Sequence, residues 1–505
     1  MARLTRRELL AAAGLTAAGL VVSCSAPPTE APPLAQPEVN PNAWADLEKS
    51  LRGSVIRPDG AGYAELATPR NLRFAATMPE AVVQCAGTDD VAAAITWARK
   101  TKTPFAIRGG GHNYASASSS RGIVLSTRTM NAATITGTTL RAQAGVRNAD
   151  LAKLLPQGGS GRLLLPGGNC PGVGVAGLTL GGGIGPNAPW AGLTADRLRK
   201  VTMVTADGAV VTASATENPD LFWGLRGGAG GNFGVVTDLE YELVEVPVTR
   251  ATTAEFTFAG RDAAQAGAVA FQKVRAAAER TATGNLYLGN AQGDIEGAVH
   301  AQALTGEAEA RQLFGPLLAV PGVKAEIVER PWWDVYRWYV TEPSPAYSFW
   351  DRSLYADDYL ADEVLAQALD VVGRFPANGD PERYGAMGIY GWVGGAVNDV
   401  AAEASAYLHR SAKILAEMSA GWATPTESTL PDNPIPPDIK EWEEELWQTL
   451  LPHTNGHSYQ NFPDPGLTEW ATAYYGDNLP RLEGLKATWD PGDVFAHEQG
   501  IPLPR

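Results

Sequence analysis

Two side chains with nucleophilic or basic chemistry are presented on glycine in this chain. His112 follows three glycines in "IRGGGHNYASAS" (107–118), and Cys170 sits in "PGGNCPGVGVAGLTLGGGIG" (166–185). Consecutive glycines lose more backbone freedom on folding than other residues, so their use ahead of one histidine signals that main chain must approach something closely there. An imidazole or a thiolate can attack, take a proton or ligate a metal. No metal is expected, because no third ligand lies near either residue. His453 and His457 are spaced for one helix face, but "HTNGH" places Asn and Gly between them and does not read as helix.

The elements that position these residues can be read from the flanks. Residues 80–108 read as strand ("AVVQCA"), helix ("DDVAAAITWARK", with Thr88 and Asp89 as caps) and strand ("TPFAIR"), a βαβ unit. "RGGGHN" therefore leaves the carboxyl end of a strand, the side on which open α/β sheets bind ligands. Strands follow at "GIVLST", "TLRAQAG" and "VTMVTADGAVVTAS", the last turning at Asp207-Gly208 as a hairpin. The segment 218–243 has a glycine-rich centre that opens into an alternating strand and brings backbone N–H groups to a ligand. From about residue 250 strands alternate with amphipathic helices, which predicts a second α+β domain over 250–455. The last segment, 456–505, is expected to return to the first domain, 44–249.

"GVGVAG" (172–177) matches the dinucleotide-binding GxGxxG pattern, and Asp196 lies where a ribose-binding acid would. That pattern must open a helix, and the sequence continues "LTLGGGIGPNAPW". Glycines and prolines at that density predict that no such helix forms, which argues against a nicotinamide site.

With 40 basic against 55 acidic residues and a formal net charge of -15, the chain lacks the clustered cations that hold a nucleic-acid backbone. No nucleic-acid partner is expected. Residues 1–26 carry Arg3, Arg6 and Arg7 before an apolar stretch shorter than a membrane span, and read as a removable export signal. "TRRELL" resembles a twin-arginine signal and "VVSC" a lipobox that would lipidate Cys24; cleavage near Ala26 without lipid is the alternative. Residues 27–43 are a proline-rich tether. The expected product is exported from a bacterial cytoplasm and either held at the cell envelope or secreted. Cys85 and Cys170 remain after cleavage. Spacing leaves a disulfide between them open, although Cys85 lies in a strand-like apolar run.

Four ordered motifs, "RGGGHNY", "GGNCPGVGVAGLTLGGGIG", "NPDLFWGLRGGAGGNFGVVT" and "YYGDNLPRLEGLKATWDPGDVF", resemble the berberine-bridge-enzyme-like flavoproteins of the vanillyl-alcohol-oxidase superfamily. The resemblance runs from about residue 65 to the end. It implies an α+β fold: a two-subdomain FAD-binding domain of the vanillyl-alcohol-oxidase type and an α+β substrate domain with an antiparallel sheet covered by helices. It also implies FAD bonded covalently through His112 (to the 8α-methyl) and Cys170 (to carbon 6). The cofactor-binding set it implies is Arg108, Gly109, Gly110, Gly111 and Asn113 beside His112. Gly174, Gly177, Gly182 and Gly183 follow Cys170, and Gly231, Asn232, Val236, Tyr459 and Asn461 complete the set.

A small residue three positions after the cysteine goes with dioxygen access in this family, and Val173 stands there. An oxidase that releases hydrogen peroxide is therefore expected, with a dehydrogenase as the alternative and an inactive exported binding protein as the reading from another class. The family's "YxNY" segment corresponds to "SYQNFPD", so Tyr459 is the expected base, with a phenol pKa lowered by its surroundings, and Phe462 replaces the second tyrosine. Tyr390 and Trp392 in "GIYGWVGGAV" are expected to line the pocket, without the acid or amide that some members carry there. At least one of Trp332, Trp333, Trp338, Tyr347, Trp350 and Tyr355 should touch substrate. The expected substrate is a sugar oxidised at its anomeric hydroxyl, or a natural-product alcohol.

Overall fold

Three large sheets and one two-stranded pair (Leu163–Leu164 with Val244–Glu245) carry the chain in the computed structural model, which describes residues 40–291, 294–340, 345–423 and 433–504. The export signal, Cys24 and tether residues 27–39 lie outside the described residues, and the expected end of the tether, 41–43, instead opens the helix Pro41–Ser50, which Asn40 caps. The first sheet contains β1 (Ser54–Ile56), β2 (Ala81–Gln84), β3 (Phe105–Arg108) and β4 (Ile123–Ser126) in the order β1-β2-β4-β3. β2, β4 and β3 run parallel, so the crossover from β2 to β3 through the helix Thr88–Thr101 skips one place, which β4 fills. The helix start differs from expectation. Gly87 is the N-cap and makes no side-chain bond, while Asp90 turns back to accept the backbone N–H groups of Arg52, Gly53 and Ala86. A carboxylate in the first turn that also ties down a neighbouring segment replaces the cap expected of Thr88 or Asp89.

The second sheet is antiparallel: β5 (Ala133–Thr136), β6 (Thr139–Gln143), β7 (Leu198–Val204), β8 (Val210–Ser214) and β9 (Val235–Glu242), in the order β5-β6-β9-β7-β8. Gly208 has φ of 85° at the β7–β8 turn, the left-handed backbone such a hairpin needs. Val204, Val235 and the C-terminal Phe495 pack into the core of the first sheet, and Leu482 and Leu485 of the helix Leu479–Trp489 enter the core of the second.

The third sheet has seven antiparallel strands: β10 (Arg250–Ala259), β11 (Ala282–Ala291), β12 (Asp294–Ala303), β13 (Lys324–Pro331), β14 (Ser348–Ala356), β15 (Tyr384–Tyr390) and β16 (Ile414–Trp422). Their order is β13-β10-β12-β11-β15-β16-β14. One face is covered by the helices Arg261–Ala278, Asp362–Gly373 and Pro437–Leu450, whose apolar stripes meet Phe256, Leu286, Leu288, Val299, Met387 and Met418 in one core. Side chains alternate along a strand, so the intervening residues of β10, β12, β11, β15 and β16 face the other way. That second face forms a wall of the cavity described next.

Candidate active site

A cavity of about 600 Å³ lies between the glycine loops of the first two sheets and the uncovered face of the third. One wall is backbone. A Cβ on Gly110 would fall 2.3 Å from Gly174 N and 2.4 Å from Gly172 O, so the 109–111 and 172–174 loops interlock main chain to main chain. No other residue fits at Gly110, and this contact explains the glycine density there better than flexibility does. His112 and Cys170 both line the wall so formed, and the His112 ring lies against Gly172.

The electrostatics of the two differ. Burial first, then Arg70 and Arg147, push the His112 pKa down to about 4, so at neutral pH it presents a neutral imidazole with a nucleophilic lone pair. Cys170 is exposed to the cavity with its thiol 3.7 Å from Asn169 Oδ1. Cys85 is buried in the first core, where burial pushes its thiol up to about 12, and no disulfide joins the two. The open question of their pairing is thereby closed.

Gly109, Gly111, Asn113, Val173, Gly177, Gly231, Val236, Tyr390, Tyr459 and Asn461 also line the cavity. Four residues expected at the cofactor do not. The Arg108 guanidinium turns away and donates to Ser118 O, Leu66 O and Ala67 O, so it ties loops together. Asn232 is buried, donating to Gly228 O and accepting from Ile501 N. Gly182 and Gly183 face protein: a Cβ on them would meet the Tyr407 ring at 2.5 Å and the Thr194 hydroxyl at 2.3 Å. The segment after Cys170 also corrects the helix expectation, because Val175–Leu180 forms a six-residue helix with Gly174 as its N-cap. Asp196 is still no ribose ligand; Arg410 holds it bidentately at 2.7 and 3.0 Å. Among the described residues no group of three or more metal-ligating side chains occurs.

The opposite wall is made of side chains from several strands. Cross-strand pairing places Glu255 opposite His300, His300 opposite Asn285, and Asn285 opposite Tyr390, so one polar row crosses β10, β12, β11 and β15. All four line the cavity, with Tyr287, Trp338, Tyr347 and Trp392 beside them. Of the aromatic-rich stretch, Trp338 and Tyr347 reach the cavity, whereas Trp332, Trp350 and Tyr355 are buried and Trp333 donates to Gly161 O.

Tyr390 donates its hydroxyl to Glu417 Oε2 at 2.6 Å, and Tyr114 reaches Glu417 Oε1 at 3.4 Å. Glu417, on β16, is fully buried. No acid lies beside Tyr390 along β15, in contrast to the acid or amide some family members carry there; the carboxyl comes from the next strand. The available signal was one acid inside the apolar run "ILAEMSAGW", every residue of which is buried.

Tyr459 lies in an irregular segment rather than on the expected strand and is buried. Its hydroxyl oxygen accepts from Gly183 N at 3.1 Å, Ile184 N at 3.4 Å and Asn461 Nδ2 at 3.1 Å. Burial raises its pKa and these three bonds oppose the rise, so the net direction is up rather than down as expected.

A planar tricyclic cofactor fits this arrangement. A backbone wall admits a flat ring at close range, a neutral histidine and an accessible thiol stand on it, and the Tyr390 and Tyr459 phenols line the same cavity.

Comparison with known proteins agrees. The family described as "FAD binding domain" matches residues 79–214, and that described as "Berberine and berberine like" matches residues 458–502. An uncharacterized FAD-linked oxidoreductase of Bacillus subtilis, YgaK, is 30% identical over 468 residues, covering 90% of this chain and 98% of the relative. The carbohydrate oxidase of Microdochium nivale is 29% identical, covering 88% of this chain and 92% of the relative. Among solved structures, the glucooligosaccharide oxidase of Acremonium strictum, described with a 6-S-cysteinyl, 8α-N1-histidyl FAD, superposes with a TM-score of 0.79. It is 26% identical and covers 92% of this chain and 99% of that chain.

Proposed function

The chain belongs to the berberine-bridge-enzyme-like FAD-linked oxidoreductases, and from that premise we propose that it is an oxidase of carbohydrate alcohols with FAD bonded to both His112 and Cys170. FAD is its cofactor. Bound FAD would supply the hydride acceptor for the alcohol carbon, with dioxygen as terminal oxidant and a carbonyl compound and hydrogen peroxide as products.

The observation that carries the reading is the pairing of walls: His112 and Cys170 stand on interlocked glycine loops, Tyr390 stands on the sheet across the cavity, and Tyr459 lines the cavity with its hydroxyl on the Gly183–Ile184 backbone. Neutral His112 has the lone pair that a bond to carbon requires, and Cys170 is accessible to form the second bond. The polar row of Glu255, His300 and Asn285 spaces hydrogen-bonding groups at strand intervals of about 4.8 Å, which suits a polyhydroxylated substrate laid across the strands. Trp338 and Tyr287 offer apolar faces for sugar rings.

An alcohol that gives up a hydride must also lose its hydroxyl proton to a base within reach. Tyr459 is that base in this proposal. Its oxygen lines the cavity and meets N–H donors and, among the described residues, no acceptor, the set of partners that suits an oxygen able to take up a proton. A second reading rests on the 2.6 Å bond from Tyr390 to Glu417: Tyr390 takes the substrate proton while passing its own to the carboxylate. Export in folded, cofactor-loaded form is part of the same proposal, supported by Arg6 and Arg7 in the leader.

Three measurements test the function. Acid-precipitated protein should stay yellow, with the tryptic peptides of His112 and Cys170 carrying the flavin mass. A peroxide-coupled screen should then show turnover with oligosaccharides. A colourless pellet defeats the covalent link, and turnover only on phenolic alcohols defeats the substrate class. Substrate-reduced enzyme that stays bleached in air defeats the oxidase assignment.

A further inference from the structure

Tyr459 differs from every other buried tyrosine near the cavity in its partners. Tyr475 donates to Gly228 O, Tyr474 accepts from Asp464 N and reaches Gln499 Oε1, and the hydroxyls of Tyr355 and Tyr407 bond to each other at 2.9 Å. Each of these has an oxygen within reach that can take its proton. The Tyr459 oxygen meets three N–H donors and, among the described residues, no acceptor. A neutral phenol has two lone pairs and one proton to place, whereas a phenolate oxygen offers three lone pairs and no proton. Three converging donors match the anion.

The donors are also fixed in advance. Gly182 and Gly183 have φ of 114° and 84°, and this left-handed backbone aims the successive N–H groups of Gly183 and Ile184 at one point, the geometry of an anion-binding nest. Asn461 uses both amide hydrogens, one on Leu178 O at 3.0 Å and one on Tyr459. On the Tyr459 backbone, the N–H donates to Ser353 Oγ and the carbonyl accepts from Phe462 N, so the ring cannot swing away.

We propose that the turn 182–184 and the Asn461 amide form a built oxyanion nest that offsets the cost of burying the Tyr459 oxygen and stabilises the phenolate it can become, making Asn461 a positioning residue for the proton-accepting step. This rests on the reading of Tyr459 as base. It also gives Gly182 and Gly183 a role at the catalytic oxygen in place of the cofactor contact expected from the sequence.

The titratable neighbours are few. Tyr355 and Tyr407 lie 6.2 and 6.4 Å from the Tyr459 ring, and burial drives both up, Tyr355 well above the ordinary range. His409 stacks behind Tyr355 with its pKa pushed down to about 3, chiefly by burial. Tyr390 and Glu417 lie across the Phe462 ring.

The test uses holoenzyme normalised to bound flavin. In Asn461→Leu the acid limb of kcat/KM should move to higher pH by about one unit, the effect of removing one hydrogen bond to a charged oxygen. Asn461→Asp should move it further, because a carboxylate opposes the phenolate. Tyrosine labelled with ¹³C at Cζ, assigned by difference from Tyr459→Phe, should show the same ordering of ionisation midpoints. An acid limb and Cζ midpoint that stay put in both variants would overturn the nest while leaving Tyr459 as base. Tyr459→Phe retaining activity within tenfold would overturn the base reading and the nest together. If Asn461→Leu does not fold, Asn461→Ser tests the same shift, since its shorter side chain ends before the phenol oxygen.

Discussion

The two walls of the cavity are built on opposite principles. The flavin-side wall is main chain pressed against main chain, where Gly110 has no room for a side chain. The substrate-side wall is side chains gathered from β10, β11, β12, β15 and β16, of which only β11 and β12 follow one another closely in sequence. The first wall sets position and tolerates almost no change. The second sets chemistry and preference, and its members can be exchanged one at a time.

The largest effect should come from breaking the backbone wall. Gly110→Ala should abolish flavin loading, because the clash at 2.3 Å falls on backbone that has nowhere to go; the ratio of visible to protein absorbance of purified protein reads this directly. At the catalytic phenol Tyr459→Phe should lower kcat by about 10² to 10⁴-fold while flavin content stays full, as expected for loss of a general base. A comparable fall in Tyr390→Phe and Glu417→Gln, with Tyr459→Phe nearly normal, would transfer the base role to the relay.

Trp338→Ala should be milder, raising KM by roughly tenfold with kcat nearly unchanged, since an aromatic platform contributes uniform binding. An equal fall in kcat would place Trp338 at the reacting carbon instead. The smallest effect concerns stability between the walls. Burial holds His409 near pKa 3, below its unfolded value of about 6.5, so the unfolded chain takes up a proton that the native state refuses. Stability from this site is full above pH 6.5 and drains away as pH falls towards 3. His409→Asn should therefore show a shallower loss of melting temperature between pH 6.5 and 4 than the parent.

This division explains which features are legible in the sequence. The glycine runs around His112 and Cys170 are local, contiguous signals of close backbone approach, and both residues stand on the cavity wall. Arg108, Asn232, Gly182 and Gly183 sit in the same runs yet serve loops, a terminus and two packed side chains, because contiguity does not say which way a residue faces. The helix Val175–Leu180 forms despite its glycine flanks since tertiary packing, with Val175, Ala176 and Leu180 buried, outweighs propensity over so short a span.

By itself the sequence determined the βαβ start, the hairpin at Asp207-Gly208, the strand and helix alternation after residue 250, and the two residues raised on glycine, all of which are encoded within a dozen neighbouring positions. Only the tertiary structure decided that Glu417 faces Tyr390, that Glu255, His300 and Asn285 form one row, and that Gly183, Ile184 and Asn461 converge on the Tyr459 oxygen. Those meetings depend on strand order and register, which join residues up to hundreds of positions apart and leave no trace in any local pattern.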